Sequence, residues 1–482
     1  MTINLDKRFE RINPLEHMEV AVVRGLVERP DRLAPREAAA LRYALNLARV
    51  ECVPEEGRTV DLEGALDEFH ARVVEVLEPL LLETPGAIDW RTLREALPVL
   101  HTITDRTRKR IVDQQQRVSA AALDHEVCRK ALITVAGGGG GSGYVYMGAF
   151  KLIDDMGLVP KLLVGTSMGS IISLFRARHR RFDLDEAYEL ARGLKFREVF
   201  MQPTAASRYG VPASLRLYLR KGIGRHFMHE SGERALWMEE LGIPMRVVAA
   251  GIGKGDLSRD LDYYEHLMDE VVEQQKVSPS VIRRQLRRVF AVIAELVKRP
   301  RLREVVIGGD EMTRRFDVVD AVGFSSAVPA LIHYDIWRQD DHMHTLMSQL
   351  LEQNGINRLV DGGVVNNVPS RVAWESVQRG DVGTQNAFIL AMDCFAPQLT
   401  RNLMAHPLQR LIRPQVSSNA RYAGFTKNFR HVLSPLELVP EERKLSLALR
   451  NGYRELARER RFIREMMKPI TGLDFLHPGL RA

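Results

Sequence analysis

Gly165-Thr166-Ser167-Met168-Gly169 lies between an apolar run and a stretch of helical character. A G-x-S-x-G placed after a strand and before a helix is a nucleophile elbow. The strained turn lifts the serine oxygen above the sheet edge, and the glycines remove side chains that would strike the adjoining strand and helix. The helix that follows directs the positive end of its dipole at Ser167. A second signal stands upstream: Gly137 to Gly143 holds six glycines and Ser142, directly after Ala131–Ala136. Bare N–H groups between a buried strand and a helix suit an anion, either a phosphate or the oxyanion of a tetrahedral intermediate. Gly138, Gly140 and Gly143 match G-x-G-x-x-G in form. The next strand, however, ends in Gly165-Thr166-Ser167 and not in the acidic residue that would hold a ribose. No Lys-Ser/Thr pair follows the run, which excludes a P-loop. The oxyanion reading is the stronger one. The third signal is Val360-Asp361-Gly362-Gly363, with Asn366, Asn367 and Pro369 close behind. Asp-Gly-Gly alone is usually a plain turn. At a strand end, beside the other two signals, Asp361 reads as a catalytic carboxylate able to reach a neighbouring strand end.

These residues need a scaffold, and the chain supplies one. Ala131–Ala136 is a continuous apolar and β-branched run, as in a strand buried on both faces. Tyr144 to Met156 reads as a helix, Lys161 to Val164 as a second strand, and Ser170 to Arg180 as another helix. Strand, loop, helix, strand, tight turn, helix is the unit of a parallel sheet. Further strands are expected at Met245–Ala250, Phe316–Val319, Arg358–Val360 and Ala387–Met392. A charged, helical insertion is expected at about 255–315. Residues 1–130 read as an all-α region broken by Pro54, Pro79, Pro85 and Pro98, with stripes such as Leu41, Leu45, Leu47 and Ala48. Residues 401–482 read as a basic helical region, so the expected domains are 1–130, 131–400 and 401–482.

The three signals, with Gly148 and Ser325-Ser326-Ala327-Val328-Pro329, resemble the patatin-like phospholipase family in motif type and order. The resemblance covers roughly residues 131–395. It implies a three-layer α/β/α fold around a mostly parallel sheet, here with helical extensions at both ends. It implies a Ser–Asp dyad: Ser167 attacks an ester carbonyl, and Asp361 takes its proton and later activates water. The loop Gly138, Gly139, Gly140, Gly141, Ser142 and Gly143 would form the oxyanion hole, chiefly through the N–H groups of Gly139, Gly140 and Gly141. Gly165 and Gly169 would shape the elbow, and Gly362 and Gly363 the turn beside the aspartate. Ser142 stands where the family carries a basic residue. A main-chain hole should survive that change. No metal or organic cofactor is implied. The implied substrate is a phospholipid or other lipid ester. Acyl transfer, neutral-lipid hydrolysis and a non-catalytic regulatory role on a hydrolase core stay open as alternatives, as does a protein activator.

Composition bounds the rest. The chain has 482 residues, with 45% hydrophobic and 27% charged, an ordinary globular balance. Cys52, Cys128 and Cys394 are too few for a disulfide framework and lack metal-ligand spacing. The first twenty residues show no apolar core of a secretory signal, and no apolar stretch approaches the ~20 residues needed to span a bilayer. A cytoplasmic protein, at most peripheral to a membrane, is expected. The net charge of +7 resides mainly in residues 401–482, where 16 Lys or Arg face 7 Asp or Glu. A basic surface there could meet anionic lipid; a nucleic-acid partner would leave the motifs unexplained. Ser280 to Lys298 reads as a basic amphipathic helix that suits either an anionic membrane or a cap on the domain. Arg176 to Arg181 reads as a solvated helix end. A Ser–Asp–His triad would need His406, His431 or His477 after Asp361, and none follows a convincing strand. His333 and His344 read as structural histidines.

Overall fold

Ala131–Ala136, here β1, carries only apolar or β-branched side chains and is buried throughout. It belongs to a seven-stranded sheet that also holds β2 (Leu162–Thr166), β3 (Met245–Ile252), β4 (Arg303–Ile307), β5 (Arg358–Asp361), β6 (Ala387–Asp393) and β7 (Phe425–Asn428). The computed structural model describes residues 4–62, 64–82, 88–114, 118–201, 207–253, 302–396 and 414–472. Hydrogen bonds link the strands in the sequence β5-β3-β2-β1-β6-β7, and β4 also pairs with β3. The pairs β1–β2, β2–β3 and β6–β7 are parallel, while β5 and β4 run antiparallel to β3. The fold is an α/β/α arrangement with a mostly parallel mixed sheet. Its helices include α1 (Val145–Asp155), α2 (Met168–Arg178), α3 (Val318–Ser325) and α4 (Glu442–Ala457). Among the described residues no helix is long and apolar enough to cross a membrane.

Register brings the three signals to one edge of this sheet. Ala136 pairs with Gly165 and Thr166 with Val248, so the glycine loop and the Ser167 turn leave adjacent strands side by side. Asp361 pairs with Ala249, the next residue of β3, and on the same edge as β2, because β4 pairs with Val247–Gly251 along the opposite edge. Thr166 and Asp361 therefore meet end to end along one edge of β3, with no strand between them. The turn after Asp361 packs directly against that junction. A Cβ on Gly362 would lie 2.2 Å from the Val248 carbonyl oxygen and 3.1 Å from Thr166 Cγ2. Only a glycine can approach the backbone of β3 so closely.

Contacts divide the chain into two units: Met1–Leu132 with Trp374–Ile389 and Arg458–Ala482, and Ile133–Ala373 with Leu390–Ala457. The first unit is built from helices Leu5–Glu28, Pro35–Arg49, Asp67–Leu81, Trp90–Gln114, Ala120–Cys128 and Arg460–Met467. Leu41, Leu45, Leu47 and Ala48 are fully buried in its core with Leu15, Met18 and Val73. Glu19 is buried beside this core, with Lys130 at 2.8 Å and Arg42 and Arg49 each at 3.1 Å. Three cations around one carboxylate outweigh its desolvation and hold its pKa at about 2.

Several elements differ from the sequence reading. The N-terminal region is not all helix: Cys52–Glu55 and Arg58–Asp61 form an antiparallel hairpin. Glu56 and Gly57 both have positive φ, as a two-residue hairpin turn requires, and Val53 and Val60 pair on its buried side. The strand expected at Phe316–Val319 is instead the start of α3. The Asp317 side chain accepts the N–H groups of Val319 and Asp320, and this cap turns an apolar run helical. The charged stretch 255–315 contains β4, whose Val305 and Ile307 are buried; a short strand with charged flanks has weak periodicity. The Ser280–Lys298 helix lies outside the described residues. The C-terminal region contains β7, an edge strand of half-buried residues that hydrophobic patterning does not mark. Arg176 is fully buried, and its guanidinium donates to the carbonyls of His179 (2.9 Å) and Arg180 (3.0 Å) at the end of α2. That part of the arginine run is a helix cap and not a solvated face.

Candidate active site

Ser167 occupies the turn between β2 and α2 with φ 51° and ψ −130°. A left-handed φ on a non-glycine residue costs of order 1–3 kcal/mol and persists only when its surroundings fix it. They do so here. The Ser167 N–H donates to Ser325 Oγ at 2.8 Å, and Ser325 Oγ donates to the Val248 carbonyl at 2.5 Å. Ser170 Oγ donates to the Ser167 carbonyl at 2.6 Å. A Cβ on Gly165 would meet Ser170 Cα at 2.6 Å, and one on Gly169 would meet the Ala136 carbonyl at 2.3 Å. Both glycines of the motif are thus required by close backbone approach. Ser167 is 7% exposed and lies at the N-terminus of α2.

Asp361 ends β5 and is buried. Its Oδ1 accepts the Gly363 N–H at 2.7 Å, while Oδ2 has no hydrogen-bond partner among the described residues. Burial pushes its carboxyl up to about 6, and the Ser167 hydroxyl and the Gly363 N–H pull in the opposite direction. The glycine loop lies against both groups. A Cβ on Gly138 would meet Ser167 Cβ at 3.0 Å and Asn367 Oδ1 at 2.8 Å. The Gly138 N–H donates to the Asn367 carbonyl at 3.1 Å, and Asn367 Nδ2 donates to the Gly138 carbonyl at 3.4 Å. Asn367 therefore ties the loop to the turn after the aspartate.

The loop N–H groups are not equivalent. Gly141 donates to the Pro435 carbonyl at 2.9 Å and Ser142 to the Gly139 carbonyl at 3.2 Å. Gly139 and Gly140 donate to no acceptor among the described residues, and Gly140 has φ 53°. From Gly140 the chain enters a short 3-10 turn through Gly143 to Tyr144, and Gly143 packs on Met168. Of the three expected donors, two are left to meet a ligand.

A cavity opens on Ser167 and Gly140, with an empty volume of about 890 Å³ including its mouth. Its walls are almost wholly apolar and include Met168, Ile171, Phe175, Leu190, Phe200 and Leu438. Ser326 also lines it, buried and without a hydrogen-bond partner for its hydroxyl among the described residues. A serine on a strained turn, a buried carboxylate, unoccupied amide donors and an apolar chamber are the parts that nucleophilic acyl transfer needs.

The histidines make other contacts. His431 Nδ1 pairs with Glu455 at 2.8 Å, His333 Nδ1 with the Val211 carbonyl at 2.9 Å, and His344 Nδ1 with the Tyr209 hydroxyl at 2.9 Å. His406 and His477 lie outside the described residues. Sequence reasoning named Ser325, Ser326 and Asn367 without giving them tasks. Their contacts lie 158 and 229 positions away for Ser325 and Asn367, and no local pattern encodes such pairs.

The patatin-like phospholipase family model matches residues 134–374, half of the chain, and the match contains the serine, the aspartate and the glycine loop. Lipid acyl hydrolysis is the general activity of that family. No curated protein matches the chain. With the α/β/α sheet that carries all three signals on one edge, the match means that the chain belongs to the patatin-like phospholipase family.

Proposed function

We propose that this chain is a serine lipid acyl hydrolase of the phospholipase A type, with Ser167 as nucleophile and Asp361 as its base. Ser167 Oγ attacks the ester carbonyl as its proton passes to Asp361. The tetrahedral oxyanion is held by the N–H groups of Gly139 and Gly140. Collapse expels the lysolipid alcohol, which takes the proton back from Asp361. Water, deprotonated by Asp361, then attacks the acyl-enzyme, and a fatty acid leaves with Ser167 restored.

The observation that carries this reading is the apolar chamber beside Ser167. Ser167, Ile171 and Phe175 follow at four-residue intervals and line one face of α2. Eight residues of helix measure roughly 12 Å. An extended hydrocarbon advances roughly 1.3 Å per ~1.5 Å carbon–carbon bond, so that face alone accommodates about nine carbons. A chamber of this length and apolarity selects a long acyl chain over a short polar ester. Burial of each methylene contributes ~0.8 kcal/mol to binding. The enzyme would reach its substrate as a peripheral protein in the cytoplasm, with the basic charge of residues 401–482 directed to anionic lipid.

Covalent labelling tests the assignment of the nucleophile. A long-chain alkyl phosphonate should label a single peptide, the one carrying Ser167, and butyl phosphonate should react more slowly. Labelling of another serine, or none at all, would overturn the proposal.

A further inference from the structure

Residues 433–439 lie beyond the family match, yet they cover the glycine loop. Ser142 Oγ donates to the Leu433 carbonyl at 2.8 Å, the Gly141 N–H to the Pro435 carbonyl at 2.9 Å, and the Tyr144 hydroxyl to the Leu438 carbonyl at 2.9 Å. The approach is close along its length. A Cβ on Gly140 would lie 2.3 Å from the Pro435 carbonyl oxygen, and one on Gly141 would lie 2.3 Å from that of Glu437 and 2.5 Å from that of Ser434. The segment is itself held. The N–H groups of Arg430 and His431 donate to the Glu455 carboxylate at 2.9 and 2.7 Å, Asn451 donates to the His431 carbonyl at 2.9 Å, and Lys444 pairs with Glu437 at 3.0 Å. These anchors stand on α4, and α4 packs on α1 through Gly148 and Gly452. Leu438 and Val439 then form part of the chamber wall beside Gly140.

We propose that this strap completes the active site and that Ser142 is its latch, a positioning residue for the oxyanion loop. The strap takes up the Gly141 N–H and thereby fixes which donors stay open, those of Gly139 and Gly140. Ser142 is 1% exposed and faces the Leu433 carbonyl, so this position takes a short hydroxyl in place of a long cationic side chain. The exchange of a basic residue for serine is thus coupled to a C-terminal segment that the family match does not include. Leu438 and Val439 make the same strap a determinant of acyl-chain preference.

This inference rests on the proposed hydrolase reading, and the test separates the two. Wild type, Ser142→Ala and Leu438→Ala would be assayed as full chains on p-nitrophenyl butyrate and palmitate. Active sites would be counted by phosphonate titration, and amide hydrogen exchange would be followed in the peptide spanning the glycine loop. Ser142→Ala should lower kcat per titrated site about 10- to 100-fold on both esters, with KM changed far less, because the loop donors are displaced and the acyl site is kept. The same change should speed exchange of the loop amides at least about tenfold. Leu438→Ala should raise KM for palmitate several-fold more than KM for butyrate. Wild-type kcat and unchanged loop exchange in Ser142→Ala would overturn the latch, and equal effects of Leu438→Ala on the two esters would overturn the wall. If wild type cleaves neither ester, the hydrolase reading fails. The exchange measurement still decides the latch: faster exchange in Ser142→Ala supports it and unchanged exchange refutes it.

Discussion

Asp361 has one oxygen bonded to Gly363 and the other buried without a partner among the described residues, next to a serine held in a strained conformation. Such a carboxyl is available to take a proton, and burial places its pKa at about 6. Below that value it is protonated and cannot serve as a base. Activity should therefore rise as pH passes upward through about 6, and a kcat/KM profile that is flat from pH 4.5 to 8 would contradict this assignment. The same shift has a cost in stability. Between 3.8 and about 6 the folded protein binds more protons at this site than the unfolded chain does, so this residue lowers stability as pH rises through that range. At pH 8 Asp361→Asn should unfold at an equal or higher temperature than wild type while losing hydrolysis, which a thermal melt would check. In the glycine loop, Gly140→Ala should lower kcat at least about 100-fold, because its left-handed backbone and its contact with the Pro435 carbonyl leave no room for a Cβ and its N–H is a proposed oxyanion donor.

The elements that carry these residues were readable wherever a strand is buried on both faces. β1, β2, β3, β5 and β6 lie within a few residues of the expected runs, because a largely apolar run of four to eight residues has a pattern of its own. The serine and aspartate turns were readable because glycine is placed by backbone approach, here 2.3 Å at Gly169 and 2.2 Å at Gly362. What escaped were elements whose form is decided by a single cap or by a partner strand. Asp317 converts the Phe316 run into α3, and β4 and β7 become strands only because β3 and β6 offer them edges. The division of labour within the glycine loop escaped as well, since the acceptor for Gly141 is 294 positions downstream. The helix pair α1–α4 is a case for experiment. A Cβ on Gly452 would fall 1.8 Å from the Val145 carbonyl oxygen, and one on Gly148 would fall 1.9 Å from that of Leu449. Gly452→Ala should force the helices apart and cost about 3 kcal/mol, the upper end of an overpacking penalty, measurable by urea denaturation. A loss under about 0.5 kcal/mol would show that the helices do not depend on this contact.

At the scale of the molecule, each unit has its own source of order. The helical unit encloses Glu19 with Arg42, Arg49 and Lys130. Because the folded pKa of Glu19 lies near 2, against 4.5 for the free side chain, its contribution is complete above about pH 4.5 and is lost as pH falls toward 2. Glu19→Ala would leave the buried Arg42 and Arg49 guanidiniums without this counter-charge, beside Lys130, whose pKa burial lowers to about 7, and should cost ~3–5 kcal/mol at neutral pH. A wild-type melting temperature in that variant would contradict the account. The α/β unit is ordered around one sheet edge, where strand register delivers a serine, a carboxylate and open amide donors to an apolar chamber. The measurement that tests the central claim most directly is release of fatty acid from mixed phospholipid vesicles by wild type, Ser167→Ala and Asp361→Asn. The account predicts release by wild type and a loss of at least about 1000-fold in both variants. Release by Asp361→Asn at a rate near that of wild type would contradict it and would require a different base for Ser167.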